Sequence, residues 1–370
     1  MPKRLIPVAD TPIGLPEARD AYAVVRSRWL SNGPRVRAFE ERFAKTVGAP
    51  EAIALNNGTS ALHVALAVLG VGPGDEVIVP SLTFISSANV VLYQGAKLIL
   101  ADTDPRTYNV TPEEIARRLT RRTKAVMSVD MNGMPCDYDG IARVCEKKGI
   151  PIVSDSAESL GATYKGRRVG SIEDIHCFSF FPNKNITTGE GGMITTRSKP
   201  LAKKMRILLN QGQDGRYNHV ALGYNYRMTE LQGAIGYRQL DRLEAVLKTK
   251  KTLAARYSAA FAGLSVVGTP RVPTYVTRHA WYMYSLDVPA ALRDRWVKEL
   301  AADGIQTRLS FPPVHIQPYY RRQFGYKLSD YPQALESWRR KIDIPIFKDL
   351  RASEQARVIA SVKRLANKAR

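Results

Sequence analysis

Three cysteines in 370 residues, Cys136, Cys145 and Cys177, are too few and wrongly spaced for a disulfide framework, and no CxxC pair suggests a zinc site. A reducing compartment is expected, with the cytoplasm as default. Long hydrophobic runs are also missing. The longest apolar stretch, ANVVLYQGAKLILA, is interrupted by Gln94 and Lys97, and the opening MPKRLIPVAD lacks the apolar region of a signal peptide. Nothing is therefore expected to enter a membrane. No GxxxxGK[ST] occurs, which removes the phosphate loop of nucleoside-triphosphate enzymes. The one glycine-rich candidate for a dinucleotide fingerprint, Gly70 to Gly74, has Asp75 where a third glycine is required and leaves a helix instead of opening one. Acidic residues are scarce too, 34 against 55 Lys and Arg, a net charge of +21 that first suggests a polyanionic partner. The basic residues are spread through helical stretches such as RRLTRRTK and KTKK, with no aromatic-interleaved stripe, so no nucleic acid is expected as partner.

What the sequence does contain is enough apolar material, 44%, for a full core. From residue 52 it alternates helical and strand patterns: SALHVALAVLG, EVIVP, a helix around Ile85 to Tyr93, KLILAD, a proline-containing cap at Thr111 to Glu114, TKAVMSVD, IARVCEKKG and PIVSD. This rhythm predicts an α/β fold with a mostly parallel sheet covered on both faces. After HCFSFF and GGMITT, a long connecting helix is predicted from Thr229 to about Gly263. Beyond it, YMYSLDV reads as strand, RDRWVKELAADG as helix, IQTRLSF as strand, and a final helix starts at Ser353. The pattern divides the chain into a large domain over 1–245 and a smaller α+β domain over 246–370.

Three motifs carry chemistry. Asn56-Asn57-Gly58-Thr59-Ser60 precedes an apolar helix, where backbone N–H groups and hydroxyls attract an anion, although such a stretch also serves as a plain helix cap. Asp155 ends the strand IVSD, at the edge of the sheet where α/β proteins bind ligands, and could equally cap a turn. Lys184 lies in FPNKNITTGEGGMITT among small residues that leave room for a flat ring. A lysine becomes a Schiff-base nucleophile when its surroundings lower its pKa. Ser179, five residues earlier, could give a further phosphate donor. Phosphate cradle, strand-end carboxylate and tight-loop lysine together point to pyridoxal 5′-phosphate (PLP), which needs an anion site, a partner for its ring nitrogen and a lysine for its aldehyde.

Over residues 5 to 350 the chain also resembles the DegT/DnrJ/EryC1/StrS family of PLP-dependent nucleotide-sugar aminotransferases. The resemblance is carried by WLSNGPRVRAFEERFA, NNGTSALHVAL, GDEVIVPSLTFISSANVV, SDSAESLGATYKG, FSFFPNKNITTGEGGMITT, GYNYRMTELQGAIG, HAWYMYSL and PPVHIQPYY. It implies the aspartate-aminotransferase fold (fold type I). It also implies that Lys184 holds the cofactor and moves the proton, that Asp155 pairs with the ring nitrogen, and that Gly58, Thr59, Ser60 and Ser179 bind phosphate. Phe84 would stack on the ring. Asn225 would reach the phosphate of a neighbouring subunit, which implies a homodimer with shared sites. Glu158 stands where many members carry Gln, near the ring hydroxyl. His315, Arg308 and Tyr319 are candidates on the substrate side.

His63 is expected to be structural, and His176, His219 and His279 have no partner at ligand spacing, so no metal is expected. The expected activity is transfer of an amino group from an amino acid such as glutamate to a nucleotide-linked 4-keto-6-deoxy sugar, with the NK-x-ITTGEGGM pattern most like that of perosamine-type synthases that use a GDP-linked sugar. Two other readings compete: a dehydratase, which in this family carries histidine at the lysine position, and a basic nucleic-acid-binding protein with a vestigial pocket.

Overall fold

Strands such as EVIVP, buried at every residue, are apolar on both faces, and such strands are stable only in a sheet covered on both sides. In the computed structural model, which describes residues 4–369, seven of them form one sheet: β1 (Glu51–Leu55), β2 (Glu76–Pro80), β3 (Lys97–Ala101), β4 (Thr123–Val129), β5 (Ile152–Asp155), β6 (Ile175–Ser179) and β7 (Gly192–Thr196). Their order is β1-β7-β6-β5-β4-β2-β3. Strands β3, β2, β4, β5 and β6 run parallel, and β7 runs antiparallel to both β6 and β1. This is the predicted α/β architecture with a mostly parallel sheet.

The period of two along each strand separates two cores. Val77, Val79, Ala125 and Met127 face a cluster built with the helices Gly58–Val68, Ile85–Tyr93 and Lys199–Leu208, while Ile78 and Val126 face another built with Pro34–Val47 and Tyr138–Glu146. In the second cluster Phe39, Phe43, Phe178 and Phe180 meet at centroid distances of 5.1 to 6.0 Å. At about 0.5–1.5 kcal/mol per pair beyond burial, these rings fix β6 against the helix Pro34–Val47. The loop that carries Lys184 therefore leaves from a rigid strand.

A third cluster packs the helices Leu243–Phe261, Ala290–Ala302 and Ala352–Lys368 on the antiparallel pair Tyr284–Asp287 and Lys341–Ile344. Ile6 belongs to this cluster and bridges Ile305. Among the described residues, no helix is long and apolar enough to cross a membrane.

Two local expectations are corrected. The predicted strand IQTRLSF forms only the isolated bridges Ile6 to Ile305 and Arg308 to Asp343, because Ser310 turns its hydroxyl into the buried Asp343 and two prolines follow. The long helix predicted from Thr229 is two helices, Glu230–Gln239 and Leu243–Phe261, joined by a 3₁₀ turn. The junction is pinned: Gln239 Nε2 donates to Pro12 O and to Glu17 Oε1, each at 2.9 Å, and Arg242 Nε donates to the same carboxylate at 2.9 Å. The Thr229 cap is as expected, with its hydroxyl accepting from Gln232 N.

His176, in the middle of β6, is fully buried. Its Nε2 accepts the backbone N–H of Glu173 at 2.9 Å, so the proton sits on Nδ1, 2.9 Å from Ser156 Oγ. Burial pulls its pKa from 6.5 down to about 3. The unfolded chain thus binds a proton that the fold refuses. The contribution of His176 is complete above about pH 6.5 and is lost as the pH falls toward 3, by about 1.4 kcal/mol per unit. The stability gap between wild type and His176→Gln, measured by denaturant titration, is expected to be smaller at pH 5 than at pH 7; a constant gap would refute the assignment.

Candidate active site

The turn after β1 and the end of β6 meet without space between them. A Cβ placed on Gly58 would lie 2.9 Å from Ser179 Cβ and 3.2 Å from its hydroxyl, so only glycine allows this approach. Behind them, a Cβ on Gly192 would fall 2.3 Å from the carbonyl oxygen of Asn57. Asn57 caps the helix Gly58–Val68 by accepting the N–H of Ser60 at 2.8 Å. The hydroxyls of Thr59 and Ser60 line a cavity of about 660 Å³, and no hydrogen bond to another described residue engages them. A helix N-terminus, two hydroxyls and Ser179 thus present to the cavity the kinds of donor that can bind an anion such as phosphate.

Asp155, 6% exposed, lies in the same cavity. Its Oδ2 accepts from Ser87 Oγ at 2.8 Å and its Oδ1 from Ala157 N at 3.2 Å. Burial raises its pKa against these bonds and against Lys184. A buried carboxylate with no cation bonded to it suits a partner that brings a proton, such as a pyridine nitrogen.

Lys184 Nζ stands 3.7 Å from Glu158 Oε1 and 4.2 Å from the centre of the Tyr282 ring. Here the expectation of a lowered lysine pKa is reversed. Burial is the largest influence and pulls it down, but Tyr282, Glu158 and Asp155 together raise it above the ordinary value. Glu158 and Asp155 thus favour the charged form of Lys184. Glu158 is raised by burial, opposed by Lys184, Lys341 and the N–H of Asn132, which donates to its Oε2 at 2.7 Å. Asn132 holds a left-handed φ of 60°, and its Oδ1 accepts from Lys341 Nζ at 2.7 Å.

The cavity therefore gathers Gly58, Thr59, Ser60, Phe84, Asp155, Glu158, Ser179, Lys184 and Arg308. Phe84 is half-exposed at its mouth and meets Phe311 at 5.3 Å. Arg308 Nη1 is 3.4 Å from the hydroxyl of Tyr282, which donates to Asn183 Oδ1 at 3.0 Å. Three candidates lie elsewhere. His315 is fully buried, with Nδ1 2.7 Å from Ser81 Oγ and its ring against Tyr331, so its side chain faces away from the cavity. Tyr319 lines an adjoining cavity of about 650 Å³ that shares Thr83, Phe84 and Phe311 with the first. Asn225 is exposed and does not line the cavity of its own chain. Motif reasoning assigned no role to Tyr282, Asn183 or Phe311: Asn183 directly precedes Lys184 in the quoted loop and Tyr282 lies within HAWYMYSL, but their contacts with the site are made across the chain.

Residues 13–363 match the DegT/DnrJ/EryC1/StrS aminotransferase family. Among curated relatives, the chain is 39% identical to the spore coat polysaccharide biosynthesis protein SpsC of Bacillus subtilis, over 95% of this chain and 94% of that one. It is 46% identical to GDP-perosamine synthase of Caulobacter vibrioides, over 79% and 80%. Among solved structures, a Streptococcus pneumoniae chain named as a sugar aminotransferase superposes with a TM-score of 0.94 at 32% identity, covering 98% of each chain; it has been solved in PMP and PLP forms.

Gly58→Ala would push Ser179 out of the cradle. PLP affinity, read from the visible absorbance of the bound cofactor, is expected to fall about tenfold or more, a loss of about 1.4 kcal/mol. Unchanged affinity in a folded variant would remove this turn from the cofactor site.

Proposed function

This chain belongs to the DegT/DnrJ/EryC1/StrS aminotransferase family and is a PLP-dependent sugar aminotransferase, and we propose that it moves the amino group of an amino acid, L-glutamate foremost, to the C4 ketone of a GDP-linked 4-keto-6-deoxy sugar. The observation that carries the proposal is the meeting of Lys184, Asp155 and the Gly58–Ser179 cradle in one cavity, in a chain 46% identical to a GDP-perosamine synthase.

PLP, when bound, supplies an electron sink for the carbon that gains or loses the amine. The rest is done by the chain. Gly58, Thr59, Ser60 and Ser179 would hold the phosphate, and the Asp155 carboxylate would keep a proton on the ring nitrogen. That pairing offsets the Asp155 charge and so relaxes one of the influences that raise the Lys184 pKa. Lys184 Nζ then carries the proton to and from the reacting carbon, with Glu158 beside it. Phe84, at the mouth of the cavity, would lie against the cofactor ring, and Arg308 would meet the negative charge of a substrate. Two half-reactions alternate in one site, so ping-pong kinetics follow. The wide adjoining cavity at Phe84 and Tyr319 gives the sugar nucleotide room outside the reacting centre.

Asn225 is exposed and does not line its own cavity, and on the family resemblance of GYNYRM we assign it to the cavity of a second copy, in a homodimer.

Lys184→Ala is expected to lower turnover at least about a thousandfold, and Asp155→Asn about a hundredfold or more, with the fold intact. Near-normal rates in either variant would refute its role. With nitrogen-15 glutamate and a GDP-linked 4-keto-6-deoxyhexose, mass spectrometry of the product is expected to find the label in the sugar; an unlabelled, deoxygenated keto-sugar would instead make this chain a dehydratase. Sharing of the site has its own measurement. A reassociated equal mixture of Lys184→Ala and Asn225→Ala chains should recover about a quarter of wild-type activity, since half of the dimers are mixed and each carries one intact site. Inactive mixed dimers would place Asn225 outside the site.

A further inference from the structure

Lys250, on the helix Leu243–Phe261, is a second buried lysine behind the first. It is 4% exposed, and its Nζ donates to Asn185 Oδ1 at 2.9 Å and to the carbonyl oxygen of Tyr282 at 3.4 Å. Both partners are neutral. Asn185 directly follows Lys184, is itself 4% exposed, and donates from Nδ2 to Ala280 O at 3.0 Å and to Leu160 O at 3.5 Å. Tyr282 is the residue whose ring lies under Lys184 Nζ. One amine thus grips the two segments that place the reactive lysine.

A buried ammonium without a carboxylate is costly, and a Leu or Met would fill the same space without that cost. The retention of an amine therefore calls for a use of its charge or its bonds. We propose that Lys250 is a positioning residue for Lys184: it ties the Asn185 and Tyr282 segments into one frame and sets a second cation behind the reactive amine. The inference rests on the reading of Lys184 as the cofactor lysine.

The charged and titratable groups around the pair lie on its other side. Glu158 from the turn after β5, Asp155 from the end of β5, and the Tyr282 hydroxyl with Arg308 beside it all face Lys184, whereas the charge that acts on Lys250 is that of Lys184. Burial first, then Lys184, brings the Lys250 pKa down to about 7. Its sign of action follows. Below about pH 7 Lys250 is charged and disfavours a proton on Lys184, opposing the carboxylates; above that pH it is neutral and the opposition ends. Lys250 thus counteracts the surroundings that hold Lys184 protonated.

The test uses three variants of the holoenzyme, Lys250→Met, Lys250→Gln and Lys250→Arg. The pH midpoint of the cofactor's visible band reads the proton on the Lys184 nitrogen. In cofactor-free protein, trace acetylation of Lys184 followed by peptide mass spectrometry reads the same proton without PLP. Arg, charged at every working pH, is expected to lower both midpoints by about one unit, whereas Met and Gln, neutral as Lys250 is above about pH 7, are expected to leave the acetylation midpoint at wild type. Unmoved or raised midpoints in Arg, or a lowered acetylation midpoint in Met and Gln, would overturn the proposal. If the neutral variants fail to accumulate, Arg alone decides by the same criterion. Borohydride reduction separates this from the underlying reading: cofactor trapped on a lysine other than Lys184 would refute the site, while trapping on Lys184 with unmoved midpoints would refute only the role of Lys250.

Discussion

Two carboxylates and a lysine buried in one cavity constrain the rest of this structure. Asp155 and Glu158 are each driven toward the neutral form by burial and held back by Lys184, and Lys184 is held protonated by them. Removing one member leaves the others uncompensated in a medium that solvates charge poorly. The fold meets this demand with rigid supports. The end of β5 bears Asp155, the aromatic cluster under β6 steadies the strand that leads to Lys184, and Asn132 passes a hydrogen bond from Lys341 in the C-terminal layer to Glu158.

That last path links the two layers electrostatically. Lys341, 1% exposed, stands 3.5 Å from the Asp343 carboxylate as well as on Asn132. The same Asp343 receives the hydroxyl of Ser310, two residues from Arg308. Arg308 is therefore delivered to the cavity by a segment anchored in the C-terminal layer, while Asp155, Glu158 and Lys184 come from the sheet.

Much of this was legible in the sequence because the signals were local. The alternation of apolar strands and amphipathic helices predicts the sheet, and Thr111 and Thr229 cap helices as their patterns require, whereas the cap of Gly58–Val68 is Asn57 and not Thr59 or Ser60. Gly58, Thr59, Ser60, Asp155, Ser179 and Lys184 could be paired with a single ligand because each motif sits at a strand end, and strand ends converge. What was not legible depends on contacts across the chain. Lys250 lies in no quoted motif, and Tyr282, within HAWYMYSL, was given no role there; both gain meaning only from Lys184 and Asn185. His315 looked like a substrate group by its neighbours PPV and QPYY, yet its nearest polar contact is Ser81, 234 residues away, in the interior. The direction of the Lys184 pKa also escaped, since Glu158 and Tyr282 act on it through space and outweigh the burial that small flanking residues suggest.

One feature of the fold bears on how the chain comes to be assembled. Val8 donates its N–H to Gln306 Oε1 across 298 positions, Ile6 exchanges backbone bonds with Gly304 and Gln306, and Ile346 donates to Val8. During synthesis, residues 6 to 8 emerge early and find no partner until the segments around 305 and 346 have left the ribosome. The third core is thus closed by its earliest and latest pieces together, while the seven-stranded sheet can pair beforehand. A nascent chain stalled before residue 304 would hold Ile6 and Val8 uncovered and leave the third core without Ile305, Ile342, Ile344 and the final helix, a surface on which chaperones would act.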